Sequence, residues 1–98
     1  MEADFYRAWQ AAWDKMDGAG IPTARMRQQA EKLGAVTAAK RCLDSSRCSD
    51  GFRELTAKGL LGLSLEALVL KSPWGSLFTD EEANEALTRL LEAGYSFR

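Results

Sequence analysis

The residues able to do chemistry in this chain are few. Among its 98 residues there is no histidine, so the side chain that most often serves as general acid or base near neutral pH is missing. Cys42 and Cys48 are the two thiols. Two sulfur ligands without histidine fall short of the four-ligand set of a structural zinc. A thiol nucleophile, in turn, requires a neighbour that stabilises the thiolate. Lys40 and Arg41 precede Cys42, but residues one and two apart on a helix point in different directions. The start "MEADFYRAWQ" has no apolar signal core, which favours reduced thiols in a cytoplasmic setting. Cys42 then reads as a small core residue and Cys48 as a loop residue. The acids of Thr79-Asp80-Glu81-Glu82 have the spacing of a helix start, with threonine at the cap and glutamate three residues on. Glu31 and Asp44 stand in no spacing that demands an acid–base pair, and the glycines punctuate helices rather than form a phosphate loop. The expectation is a non-enzymatic protein with no metal and no cofactor.

Positive charge is the stronger signal. Between Thr23 and Arg47 the bases Arg25, Arg27, Lys32, Lys40, Arg41 and Arg47 stand six against two over Glu31 and Asp44, in a chain whose formal net charge is -1. A neutral total writes neither a nucleic-acid binder nor an acidic mimic into the composition. A local basic face nevertheless makes Arg25, Arg27, Lys40, Arg41 and Arg47 the candidate partner contacts. "QQAEKLGAVTAAKRCL" imitates a helix-turn-helix. Lys40 stands where the second helix of such a motif needs a branched apolar residue, and an ammonium is costly to bury. Trp74, in "SPWGSLF", has two readings: a hydrophobic plug over the end of the core, or an exposed anchor for a partner. The sequence therefore supports a small binding protein that regulates or inhibits a larger protein or nucleoprotein complex, as monomer or homodimer. The alternative is a nucleic-acid-binding protein using the basic face of residues 25–47.

Helices must position these groups. Phe5, Trp9, Trp13 and Met16 recur every three or four residues, one face of a helix that stops at Gly18-Ala19-Gly20. A second helix, 23–33, turns Met26, Ala30 and Leu33 inward and ends at Gly34, where a left-handed residue is cheapest. A third, 36–44, buries Val36, Ala39 and Leu43. "GFRELTAKG" is a short helix burying Phe52 and Leu55. Ser64 caps "LEALVLK", where Glu66 suits the positive first turn and Pro73 ends the helix. In the last helix Ala83, Ala86, Leu87, Leu90 and Leu91 form the apolar stripe, with Glu85, Arg89 and Glu92 opposite. No alternating run suggests a strand, and no apolar stretch reaches the roughly 18 residues of a membrane span. The fold class is all-α, a compact single-domain bundle of five or six short helices over residues 1–98.

The run "AAKRCL", "GFREL", "LSLEALVL" and "W..LFTDEEANEALTRLLEAGY" resembles a family of small uncharacterised bacterial and phage helical proteins and domains. Leu60 and Gly62 depart from it, standing where that family often has Arg and Asp. The resemblance spans about Ala24 to Tyr95. It implies a bacterial or phage origin, an intracellular setting and a helical fold, without an activity. Its setting suggests an anti-CRISPR-like inhibitor or accessory factor in phage–host defence.

Overall fold

A computed structural model of the chain describes residues 1–45, 48–71 and 73–96. Six α-helices follow one another: α1 (Glu2–Gly18), α2 (Ala24–Leu33), α3 (Ala35–Asp44), α4 (Phe52–Lys58), α5 (Leu65–Val69) and α6 (Asp80–Glu92). Short 3-10 turns lie at Leu61–Leu63 and Trp74–Leu77. No strand occurs among the described residues, and no described helix is long and apolar enough to cross a membrane.

The aromatic stripe of α1 is the centre of the core. Phe5, Trp9, Trp13 and Met16 are each at most 2% exposed, and the Trp9 and Trp13 rings stand 4.7 Å apart. Tyr6 meets Trp13 edge-on at 6.2 Å. The indole Nε1 of Trp13 is buried without a hydrogen-bond partner among the described residues. Around this stripe α2 packs on α3, α5 on α6, and α1 crosses α3. Burying large aromatic area on one helix gives a chain of this size its single core.

Local signals set the joints. Gly34 is at once the C-terminal cap of α2 and the N-terminal cap of α3. Its φ of 88° with ψ of 148° is extended mirror-image backbone, not the left-handed helical turn expected from its position. Only glycine enters that region without strain, so one residue suffices to fold α3 back on α2. Gly51 is fixed by two constraints. Its φ is +80°, and an added Cβ would stand 2.6 Å from Ile21 Cγ2. Ser64 Oγ accepts from Ala67 N at 3.1 Å. The capping box of α6 is complete: Thr79 Oγ1 accepts from Glu82 N at 3.1 Å and Thr79 N donates to Glu82 Oε1 at 2.8 Å. The acids at 80–82 are thus a helix start.

Three expectations are corrected. Helix α5 ends at Val69, ahead of Pro73, and Lys71 N donates to Leu68 O in a tighter closing turn. Leu33 and Leu87 are only half-buried. In α6 the buried face is rotated from the apolar stripe: Leu91 is 57% exposed, while Arg89 is buried at 6%. The rotation follows from what faces the helix, because the C-terminal carbonyls of α3 lie where Arg89 can reach them.

Trp74 is half-buried and packs edge-on against Phe5 at 5.7 Å, with Phe78 on the same ring at 5.4 Å. The segment 74–78 thus covers one end of the core, as a plug does.

Candidate functional site

A cleft of about 300 Å³ lies between α2, α3 and the segment 48–50. That volume is at the lower end for ligand pockets and fits side chains rather than a large cofactor. Met26, Ala38 and Cys42 supply its apolar lining, and Gln29, Ser45 and Ser49 its neutral polar groups. Arg25 and Arg41 contribute its positive charge and Asp50 its negative charge. Arg25 belongs to the first turn of α2 and Arg41 to the last turn of α3. The fold-back at Gly34 packs α3 on α2, and residues from the start of α2 and the end of α3 line the same cleft. Arg25 Nε approaches Asp50 Oδ2 at 3.9 Å, both groups partly in solvent. Arg41 is exposed and makes no hydrogen bond or ion pair among the described residues.

A buried polar cluster holds the wall of this cleft. The side chain of Glu66 is 0% exposed. Its carboxylate accepts from Ser49 N at 3.0 Å, from Ser49 Oγ at 2.6 Å and from Arg89 Nη1 at 3.0 Å. Arg89 also donates to the carbonyls of Cys42 (3.1 Å), Leu43 (3.1 Å) and Ser45 (2.7 Å), and through Nε to Glu85 at 2.8 Å. The guanidinium thereby caps the last turn of α3, whose carbonyls have no further helical donors. Its positive charge at a helix C-terminus is also favoured by the helix dipole. Three elements, α3, α5 and α6, are tied to the segment that lines the cleft. Burial lets Glu66 do more than favour the first turn of α5: it becomes the acceptor for a distant loop.

The other basic candidates are engaged within the molecule. Arg27 Nη2 donates to Asp17 Oδ2 at 2.7 Å and Asp14 Oδ1 at 3.2 Å, and Nε donates to Thr23 Oγ1 at 3.0 Å. Its guanidinium lies 5.3 Å from the centre of the Trp13 ring. The hydroxyl of Thr23, and then Arg27, hold the Asp17 carboxyl below its ordinary value. Lys40 Nζ donates to Glu82 Oε1 at 2.8 Å and stands 5.5 Å from the centre of the Phe78 ring. The capping glutamate of α6 therefore also receives the half-buried Lys40 of α3. Of the residues singled out from the sequence, Arg25 and Arg41 line the same cleft. Arg27, Lys40 and Trp74 are used elsewhere in the fold, and Arg47 lies outside the described residues.

Both thiols line the cleft. Burial, and then the Glu66 carboxylate, push the Cys42 thiol up to about 11, and burial also raises that of Cys48. A raised thiol is protonated near neutral pH and is a poor nucleophile. Cys42 is half-buried at the cleft rather than a core residue, whereas Cys48 is exposed in its loop. Both are free thiols. No group of three or more His, Cys, Asp or Glu stands together among the described residues in an arrangement to hold a metal ion.

Arg89 and Ser49 were not legible as parts of this site. The one available signal was a basic residue in the last turn of a helix whose neighbours are leucines. No protein-family model, curated protein or solved structure matches the chain.

Proposed function

We propose that this chain is a non-catalytic binding protein that regulates a larger protein or assembly, docking through the cleft between α2 and α3. One observation carries the reading. Arg25 and Arg41 meet at a preformed concavity whose wall is held by buried hydrogen bonds, while Arg27 and Lys40 are neutralised by the chain's own carboxylates. A fixed pocket with few charged groups favours side-chain recognition, because little ordering remains to be done on binding. A cytoplasmic inhibitor or accessory factor in phage–host conflict is the concrete form that the sequence resemblance suggests.

A free-standing nucleic-acid binder is disfavoured by the same pairing. Phosphate tracking needs a row of available cations, and two of the basic candidates already hold Glu82, Asp14 and Asp17.

The test is a tagged capture from bacterial lysate, with and without nuclease, comparing the natural chain with the Arg25→Glu, Arg41→Glu double variant and with Lys32→Glu. A protein retained after nuclease by the natural chain and by Lys32→Glu, but lost with the double variant, is the expected result. Partners that vanish on nuclease treatment would refute the reading in favour of nucleic acid.

A further inference from the structure

We infer that the cleft between α2 and α3 is a receptor for an acidic side chain of a partner polypeptide, with Arg41 as the receiving guanidinium and Asp50 as a built-in competitor. The inference rests on the proposed docking function and names the chemistry of its occupant.

The argument begins with Asp50. It already places a carboxylate at the cleft, 3.9 Å from Arg25 Nε. That distance is longer than the roughly 2.7–2.9 Å of a charge-assisted hydrogen bond. Asp50 thus marks where an anion is attracted without saturating the site. Arg41, on the opposite helix, offers its donors to no described group, and guanidinium is the side chain best shaped to grip a carboxylate in a two-bond fork. Met26, Ala38 and Cys42 line the same cleft and suit the methylene stem of a glutamate or an adjacent apolar side chain. Gln29 and Ser45 add polar groups within the same lining. A volume of about 300 Å³ accepts one or two side chains of a linear segment.

The choice of a polypeptide over nucleic acid follows from the balance of the lining. Among the described residues, two guanidinium groups are set against one carboxylate in a lining that mixes polar and apolar side chains. A phosphate backbone would have to pass Asp50 with no further free cation among Arg27 and Lys40. A single acidic side chain instead exchanges with Asp50 for the pair with Arg25 and takes Arg41 in addition. The cleft is rigid on its 49 side, where Ser49 is fixed to Glu66 through backbone and hydroxyl, so the exchange does not require the wall to rebuild.

The experiment is a titration of the full chain, followed by amide chemical shifts and by fluorescence anisotropy. The probe is a fluorescein-labelled peptide of alternating glutamate and leucine, with a single-stranded oligodeoxythymidylate of equal charge in parallel. The expected result is saturable peptide binding with shifts centred on Arg25, Met26, Gln29, Ala38 and Asp50. Arg41→Glu weakens it about tenfold or more, the loss of a charge-assisted pair. Asp50→Asn strengthens it about two- to fivefold, as removal of a weak exposed ion pair predicts. Lys32→Glu carries the same charge change as Arg41→Glu on another exposed residue and leaves binding within about twofold. Equal losses in Lys32→Glu and Arg41→Glu, weaker binding in Asp50→Asn, or an oligonucleotide that outcompetes the peptide would each overturn the acidic occupant. A cleft unmoved by the peptide, with a nuclease-resistant partner still captured through Arg25 and Arg41, overturns the occupant and leaves the docking function standing.

Discussion

Replacing Arg89 by alanine is the most informative perturbation of the fold and of the cleft together. The side chain makes five hydrogen bonds, to Glu85, Glu66 and the carbonyls of Cys42, Leu43 and Ser45. The bond to Glu85 is worth little, because that carboxylate is 45% exposed; an exposed i, i+4 pair contributes about 0.3–0.5 kcal/mol. The pair with Glu66 decides the magnitude, since the two side chains are 5% and 0% exposed. Truncation leaves a buried carboxylate with Ser49 as its remaining donor, and strips the donors from the end of α3. Breaking a buried pair in this way costs about 3–5 kcal/mol. That is a large part of the roughly 5–15 kcal/mol that stabilises a domain, and it lowers the melting temperature by roughly 15–30 °C in a chain of this size. Calorimetric and urea melts measure it, and hydrogen exchange at the Ser49 amide reports whether the cleft wall detaches before global unfolding. Glu85→Ala serves as the control, with a loss below about 1 kcal/mol. Arg89→Met combined with Glu66→Leu removes both charges and recovers more than half of the loss. An Arg89→Ala loss below about 1 kcal/mol would refute the reasoning, since the guanidinium would then be neither the cap of α3 nor the partner on which Glu66 depends.

Three further outcomes are expected. Leu68→Ala truncates a buried residue of α5 and costs about 2–5 kcal/mol in urea unfolding, whereas Leu91→Ser on the exposed side of α6 stays within about 0.5 kcal/mol; equal losses would mean that the buried face of α6 is misassigned. Burial would raise the Glu82 carboxyl, but the Lys40 ammonium and the Thr79 amide outweigh it and hold the group below its ordinary 4.5. A depressed carboxyl stabilises the fold fully above its unfolded value and loses that increment as pH falls through the folded value, so thermal melts from about pH 5 down to about pH 3 fall more steeply for the natural chain than for Lys40→Met, and identical slopes would show that the pair is not formed. Iodoacetamide near neutral pH labels the exposed Cys48 before Cys42, whose thiol is pushed up to about 11, and peptide mapping that found Cys42 labelled first would contradict its placement.

Much of the architecture was written in local spacing. The α1 stripe and the Ser64 and Thr79 caps appear as expected, because periodicity reports which face is apolar and a cap involves residues only three apart. The breaks after Gly18 and at Gly34 follow the same local logic, although Gly34 adopts a backbone state that its position alone did not specify. Composition shows directly that the chain has two cysteines and no histidine, whereas the raised Cys42 thiol follows from its burial in the fold.

Charge was different. Arg25, Arg27, Lys40 and Arg41 look alike in the sequence, yet the fold gives Arg27 to Asp14 and Asp17, Lys40 to Glu82, and leaves Arg25 and Arg41 at a cleft. Glu66 reads as a first-turn acid and Arg89 as a residue opposite the apolar stripe, and the fold makes them a buried ion pair. The reason is physical: an apolar stripe is a property of one helix, but the fate of a charge depends on which opposite charge or orphan carbonyl is brought beside it. Lys40 and Glu82 are 42 residues apart, and Arg89 and Cys42 are 47 apart. The amino-acid sequence determined the helices, the inward face of α1 and the caps at Ser64 and Thr79. Only the tertiary arrangement, which sets Arg27 beside α1, Lys40 beside α6 and Arg89 beside α3, decided which charges are paired in holding the fold and which stay at the surface.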